Sequence, residues 1–294
     1  MMECKNRLLS LFTVALLASI STFSTESVSA PLPEVKSCND VLLGIQNRYH
    51  GYNSWRMIKM VITDEHGNVK TRTITATHQN NGVNRTLRSR VVAPPELANS
   101  ESYVIDYNEE DKRDRIWRYL PASKKLLEVQ SKDLSSRLYG SDMNIGEMLI
   151  RMARDYDCQS LGEGEYQGLP VYKIHVVPNN EQELLRLGLK DGEIWVEKGT
   201  FLPVYSAFNA ESPNEQRLFE TSDQRWVDGI FVAEKYQIST LKDGRKVSQS
   251  AFQVYGEGFN LPLPDSWYNI KDLGNEQSTW REYHSPNYTL KTLP

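Results

Sequence analysis

Three kinds of hydrophobic pattern divide the chain. At the N-terminus a continuous apolar run, Leu8 to Ile20, follows Lys5 and Arg7. Basic residues before a run of that length form a secretory signal, and the run is too short for a comfortable membrane span. After it, Val41, Leu42, Ile45 and Tyr49 recur at helical spacing behind Ser37 and Asp40, which have capping-box spacing; the pattern predicts a helix ended by Gly51. From Trp55 the period changes to two.

Ile58, Met60 and Ile62 alternate with Met57, Lys59 and Val61, and a polar turn at 64–68 leads into Thr-rich 69–78, a predicted hairpin. Further strands are predicted at 83–93, stopped by Pro94 and Pro95, and at 102–107, 114–120 and 125–130. Asn144 and Glu147 then cap a second predicted helix with the stripe Ile145, Met148, Leu149, Met152 and Tyr156. Beyond Gly168 strands resume at 169–177, pause for a short helix at 181–187, and continue at 192–197, 202–209, 216–222, 229–240 and 245–256. After that the periodicity fades. About eleven or twelve strands against two or three helices, without strand–helix alternation, predict a mainly β member of the α+β class. The expected architecture is one large curved antiparallel sheet with helices on one face. No repeat or composition break marks a second domain, so residues 1–30 read as signal and 31–294 as a single domain.

Composition narrows the partners. With 294 residues, 39% hydrophobic, 24% charged and a net charge of −4, the chain is of ordinary globular type. A pI of 5.8 argues against nucleic acid, and a mean hydropathy of −0.54 excludes a multi-span membrane protein. Export fits best, with cleavage after Ala30, or after Ser24 or Ser27 because Pro31 is awkward beside a scissile bond. Cys4 leaves with the signal. Cys38 and Cys158 remain, an even count for an oxidising compartment, and read either as a disulfide or as two small buried thiols.

Catalytic signatures are absent. No nucleophile elbow, phosphate loop, zinc-protease helix or dinucleotide fingerprint occurs; Gly162-Glu163-Gly164 reads as a turn. His50, His66, His78, His175 and His284 are scattered, with no metal-ligand spacing. The acidic residues Asp106, Glu109, Glu110, Asp111 and Asp114 are interrupted by Lys112 and Arg113 and read as a solvated turn rather than a calcium loop. No catalytic residue, metal or cofactor is expected. Basic residues gather between Lys70 and Lys125, among them Arg88 and Arg90 on one strand face. They read as solvated faces or as a contact for an anionic headgroup or partner. Both faces of several strands are apolar, which means core on both sides or a cavity.

The segment Trp117-Arg118-Tyr119-Leu120-Pro121-Ala122-Ser123-Lys124-Lys125, followed by Tyr139-Gly140-Ser141-Asp142, resembles the LolA-like outer-membrane lipoprotein-sorting family. The likeness takes in the Gly67 hairpin, the Arg-rich strand ending at Pro94, and Trp195-Val196-Glu197-Lys198 before Leu202-Pro203. It implies an unclosed antiparallel β-barrel with helices over the concave side, working in the periplasm as a carrier of lipid or lipoprotein acyl chains. On that reading Ile58, Met60, Ile62, Met148, Leu149 and Met152 contact cargo or close a lid, their other role being core. Tyr119, Leu120, Pro121 and Ala122 end a strand, and Gly140, Ser141 and Asp142 make a turn whose oxygens accept free N–H groups. Some relatives work beside RND-superfamily transporters, so the alternative is an accessory module docked on such an inner-membrane transporter through its sheet edge or its basic strands, Arg88 and Arg90 among them. A secreted hydrolase is a second alternative. A monomer is expected.

Overall fold

The computed structural model describes residues 35–275 except 83, 108, 110 and 111. The expected signal at 1–30, Cys4, His284, Glu110 and Asp111 lie outside the described residues. Helix α1, Cys38–Gln46, starts at the expected capping box: Asp40 N–H donates to Ser37 Oγ (3.3 Å) and Ser37 N–H to the Asp40 carboxylate (2.8 Å). It stops at Asn47, whose N–H bonds back to Leu43 and Ile45, rather than at Gly51, so Tyr49 is an exposed residue beyond the helix and not part of its stripe.

Thirteen strands follow: β1 Asn53–Thr63, β2 Val69–Asn80, β3 Asn84–Ala93, β4 Glu101–Tyr107, β5 Arg115–Leu120, β6 Lys125–Glu128, β7 Tyr156–Tyr166, β8 Leu169–Pro178, β9 Leu189–Glu197, β10 Pro203–Ala210, β11 Glu215–Val227, β12 Ile230–Lys242 and β13 Arg245–Phe259. Helix α2, Glu181–Leu187, lies between β8 and β9. All thirteen form one antiparallel sheet, not closed into a barrel, in the order β6-β5-β4-β3-β2-β1-β13-β12-β11-β10-β9-β8-β7. Register shifts at Met57/Ile58, Thr73/Ile74, Thr240/Leu241 and Ser160/Gly162 place bulges along it, and bulges bend and twist strands. The fold class expected from the sequence is the one observed. Strand β7 is the addition: Gly162 and Gly164 lie inside this edge strand and not in a turn.

The second predicted helix does not form. Its capping box exists, with Asn144 N–H donating to Glu147 (2.7 Å), but only two separate 3-10 turns, Ile145–Met148 and Ala153–Asp155, form in its place. Helical pairing would send Ile150 N–H to Gly146 O and Met152 N–H to Met148 O. Instead Ile150 N–H donates to Asp106 (2.8 Å), Gly146 O accepts from Arg186 (3.1 Å) and Met148 O accepts from Arg85 (2.8 Å). Side chains have taken the backbone partners, and Tyr156 opens β7 instead of closing a helix.

Cover lies on both faces of the sheet. On the concave face, Ile58, Met60, Val91, Val104, Phe252 and Val254 pack with Leu138, Ile145 and Leu149, while α1 and Leu187 of α2 pack over β8–β10. On the opposite face of β1–β4, the segment after β13 lays Trp267 and Tyr268 against Trp55 and Met57. Beneath it Glu101 receives Arg88 (2.6 Å) and Arg90 (2.7 Å), with all three side chains buried, and Arg88 also donates to Asp272 O (2.9 Å). This corrects the expectation for Arg88 and Arg90: a shared carboxylate, opposite Arg90 and diagonal to Arg88 in the β3–β4 register, turns both inward, and neither is a surface contact for a headgroup or partner. Glu101→Ala would leave two buried guanidinium groups uncompensated and should cost about 3–5 kcal/mol. Urea unfolding followed by tryptophan fluorescence measures it, and a loss below about 1 kcal/mol would show that the pairing contributes little.

Candidate functional site

Strands β6 and β7 are the two edges of the sheet, yet they are consecutive in the chain. Residues 129–155 therefore pass from one edge to the other over the concave face. Their polar groups need partners there, because buried backbone and carboxylate groups cannot be left dry. Asp142 is the central anchor. Fully buried, it accepts the hydroxyls of Thr240 (2.8 Å), Ser250 (2.7 Å) and Ser248, from β12 and β13, and its N–H donates to Ser250 Oγ (2.9 Å). Gly140 reaches φ 80°, Ser141 Oγ donates to Leu138 O (2.7 Å), and Arg217 of β11 holds both Asp142 O and Glu147 (2.8 Å). At the far end Arg85 pairs with Asp106 (2.7 Å) while donating to Met148 O, as noted above.

Two cavities remain between the crossing segment and the sheet. One, about 320 Å³, is lined by Ile58, Met60, Ile74, Leu87, Met148 and Phe252 among others. The other, about 330 Å³, runs toward α1 and is lined by Leu42, Ile45, Ile194, Phe219 and Ile238. Both fall in the range of small-molecule pockets, roughly 300–1,000 Å³. They share His50, Arg85, Met143, Glu147, Leu149 and Tyr236 as walls.

The polar part of that wall is mainly basic, with Glu147 its one shared carboxylate among the described residues. Arg48 Nη1 lies 3.2 Å from His50 Nδ1, and its other terminal nitrogen donates to Phe231 O. Burial and the neighbouring Arg56 push Arg48 down to about 10. Burial and then Arg48 push His50 well below the usual imidazole range; burial followed by Arg56 and Arg85 pushes His78 down to about 4. Ser54 Oγ sits 2.6 Å from His78 Nδ1, with Gly51 O 3.4 Å from Nε2. The pair has the look of a nucleophile and its base, but an imidazole titrating near 4 is a poor proton acceptor at neutral pH, where a general base works best with a pKa near 7. The contact fixes the ring in the wall.

A family model described as an uncharacterized protein matches residues 89–275. The chain belongs to that family, and its fold is LolA-like. Among solved structures, a DUF1329 family protein from Desulfovibrio piger is 18% identical, covering 80% of this chain and 97% of that one at a TM-score of 0.71. An outer membrane lipoprotein-sorting protein domain, so described, from Vibrio parahaemolyticus is 15% identical over 80% and 97% of the two chains, at 0.70. A LolA superfamily protein from Nitrosomonas europaea is 14% identical over 81% and 100%, at 0.58. No curated protein matches by sequence.

In this LolA-like chain the candidate cargo residues divide. Ile58, Met60, Met148 and Leu149 reach the first cavity; Ile62 packs into the core beside it, and Met152 turns to a separate polar cleft with Arg154 and Asp155. Tyr119 and Leu120 end β5, and Pro121 and Ala122 form its turn to β6. Cys38 and Cys158 are joined as a disulfide between α1 and β7. Asp106 and Asp114 are not part of a solvated turn: Asp106 is buried, and Asp114 accepts from Tyr107 N–H (2.7 Å) while burial and Asp106 push it up to about 6. Among the described residues no cluster of three metal-binding side chains occurs. The sequence names His50 and His78 only as scattered histidines and gives no sign of Arg48 or Arg217, although period two already places His78 on the face of Ile74 and Ala76.

Two outcomes follow from the site. Asp142→Ala removes one acceptor from three buried hydroxyls and should cost about 3 kcal/mol, read as a lowered urea midpoint; an unchanged midpoint would mean the anchor is dispensable. His78 binds its proton more weakly folded than unfolded, so stability is complete above its ordinary value of 6.5 and falls as pH drops toward about 4. The loss attributable to His78 is about 3 kcal/mol, and His78→Gln should flatten the pH dependence of unfolding across that window.

Proposed function

We propose that the chain is a periplasmic, non-enzymatic carrier that shields the acyl chains of a lipid or lipoprotein for transfer toward the outer membrane. The observation carrying this reading is the pair of apolar cavities enclosed between the concave sheet and the crossing segment. Acyl chains cannot cross water bare, and each CH₂ buried is worth roughly 0.8 kcal/mol, so apolar walls suffice without catalytic groups. Ile58, Met60, Met148 and Leu149 are the contacts this reading assigns to the chains, two methionines adapting to variable shape. The LolA-like fold supports the carrier role, and the lysine- and arginine-led signal supports the compartment. Among the described residues no helix is long and apolar enough to cross a membrane.

Release requires a second state in which the crossing segment lifts, and its 3-10 turns, held by side chains rather than by helical pairing, form a cover with discrete attachments to break. The chain purified without detergent should yield acyl-chain compounds by mass spectrometry of an organic extract, and Met60→Trp, which fills the first cavity, should reduce the amount. Empty protein that also fails to take up added fatty acid would overturn the carrier role.

A further inference from the structure

The basic groups in the cavity wall are not balanced. Arg56 has Glu257 (2.7 Å), Arg85 has Asp106 (2.7 Å), and Glu147 is claimed by Arg217 (2.8 Å) and Arg151 (3.9 Å). Arg48, by contrast, has a backbone carbonyl and His50, and among the described residues no carboxylate pairs with it. Its Nε is buried with no hydrogen-bond partner, as is that of Arg85. His50 and His78 stand beside these cations. A largely buried guanidinium without an anion is costly, and the fold retains one in the wall of the second cavity, in contact with His50, which borders both.

We propose that Arg48, with His50 and Arg85 at the junction of the two cavities, binds the anionic headgroup of a single amphiphile whose hydrocarbon occupies the cavities on either side. The inference rests on the carrier reading and specifies its cargo: an acid, not a neutral lipid. The shared chemistry is a negatively charged oxyanion, the carboxylate of a fatty acid or the phosphate of a phospholipid, which a guanidinium fork and imidazole N–H groups can hold by charge-assisted hydrogen bonds. The geometry suits such a molecule. His50 and Arg85 border both cavities, so a headgroup placed there leaves hydrocarbon free to enter either one. The depressed histidines fit the same role: burial first, and then the neighbouring Arg48, Arg56 and Arg85, disfavour their charged forms, and an anion held among these cations would favour them.

The test compares radiolabelled palmitate, its neutral methyl ester, and phosphatidylglycerol, each measured for retention by the full chain, stripped of its own lipid, through gel filtration. Palmitate or phosphatidylglycerol should bind at least roughly tenfold more tightly than methyl palmitate, and whichever does identifies the headgroup as carboxylate or phosphate. Arg48→Gln and, separately, His50→Gln should erase that preference, the ratio of acid to methyl palmitate binding by the same variant falling to about one while its urea midpoint reports an intact fold; Arg48→Lys should restore part of the ratio. Equal binding of acid and ester by the unmodified chain would overturn the anion site and leave the carrier reading standing. Binding of none of the three would overturn the carrier reading itself.

Discussion

Everything on the concave side depends on one topological constraint: the strands at the two edges of a thirteen-stranded sheet are neighbours in sequence. The chain has to travel from β6 to β7 across the face that the sheet curls around. That passage covers the apolar face of an open sheet, but it also carries backbone donors and acceptors into a dry region. The structure meets the cost with side chains from the strands beneath it. Asp142 takes hydroxyls from β12 and β13, Arg217 reaches up from β11, and Arg85 and Asp106 bind from β3 and β4. These polar attachments alternate with the packed side chains of Leu138, Ile145 and Leu149, so the segment rests on pillars rather than packing flush as a helix would. Cavities lie between the pillars.

The same logic explains the two faces of the first half of the sheet. Its outer face is also covered, by the segment after β13, and again a buried carboxylate organises the contact: Glu101 gathers Arg88 and Arg90 and accepts Gly274 N–H (3.1 Å). A strand set that is apolar on both sides thus needs two explanations. The outward side is ordinary core under a strap; the inward side is part core and part cavity wall. Charge is handled differently in each. Outside, arginines meet a carboxylate; inside, Arg56 and Arg85 do too, whereas among the described residues Arg48 meets only a carbonyl and an imidazole.

Strand positions were legible because half-buried strands alternate in sequence, and β1 to β6 and β8 to β13 lie within a few residues of their predicted places. Helix α2 falls on the predicted residues 181–187. Strand β7 was hidden because an exposed edge strand with two glycines and three glutamate or aspartate residues shows no alternation. The false helix at 144–156 had a real capping box and a real apolar stripe; what it lacked was a free backbone, and the competitors for that backbone, Arg85, Asp106 and Arg186, are distant in sequence. Arg88 and Arg90 looked like surface cations for a related reason. Their partner sits on the next strand, and only the hairpin register, Arg90 opposite Glu101, reveals it. The Gly140-Ser141-Asp142 turn was read as structural, which its contacts agree with, although its partners are hydroxyls of far strands in addition to nearby amides.

The bond between Cys38 and Cys158 has a mechanical meaning once the crossing segment is in view. Cys158 lies three residues past the end of that segment, and Cys38 opens the helix that leads to Arg48 and His50. A covalent staple there makes the β7 end of the passage a fixed hinge post and ties the basic wall to the same post. Lifting the cover is then asymmetric. On the carrier reading proposed above, its free travel would belong to the β6 side, where the edge strand is four exposed residues long, so the cavity would open like a door hung on one jamb while the basic wall stayed with the frame.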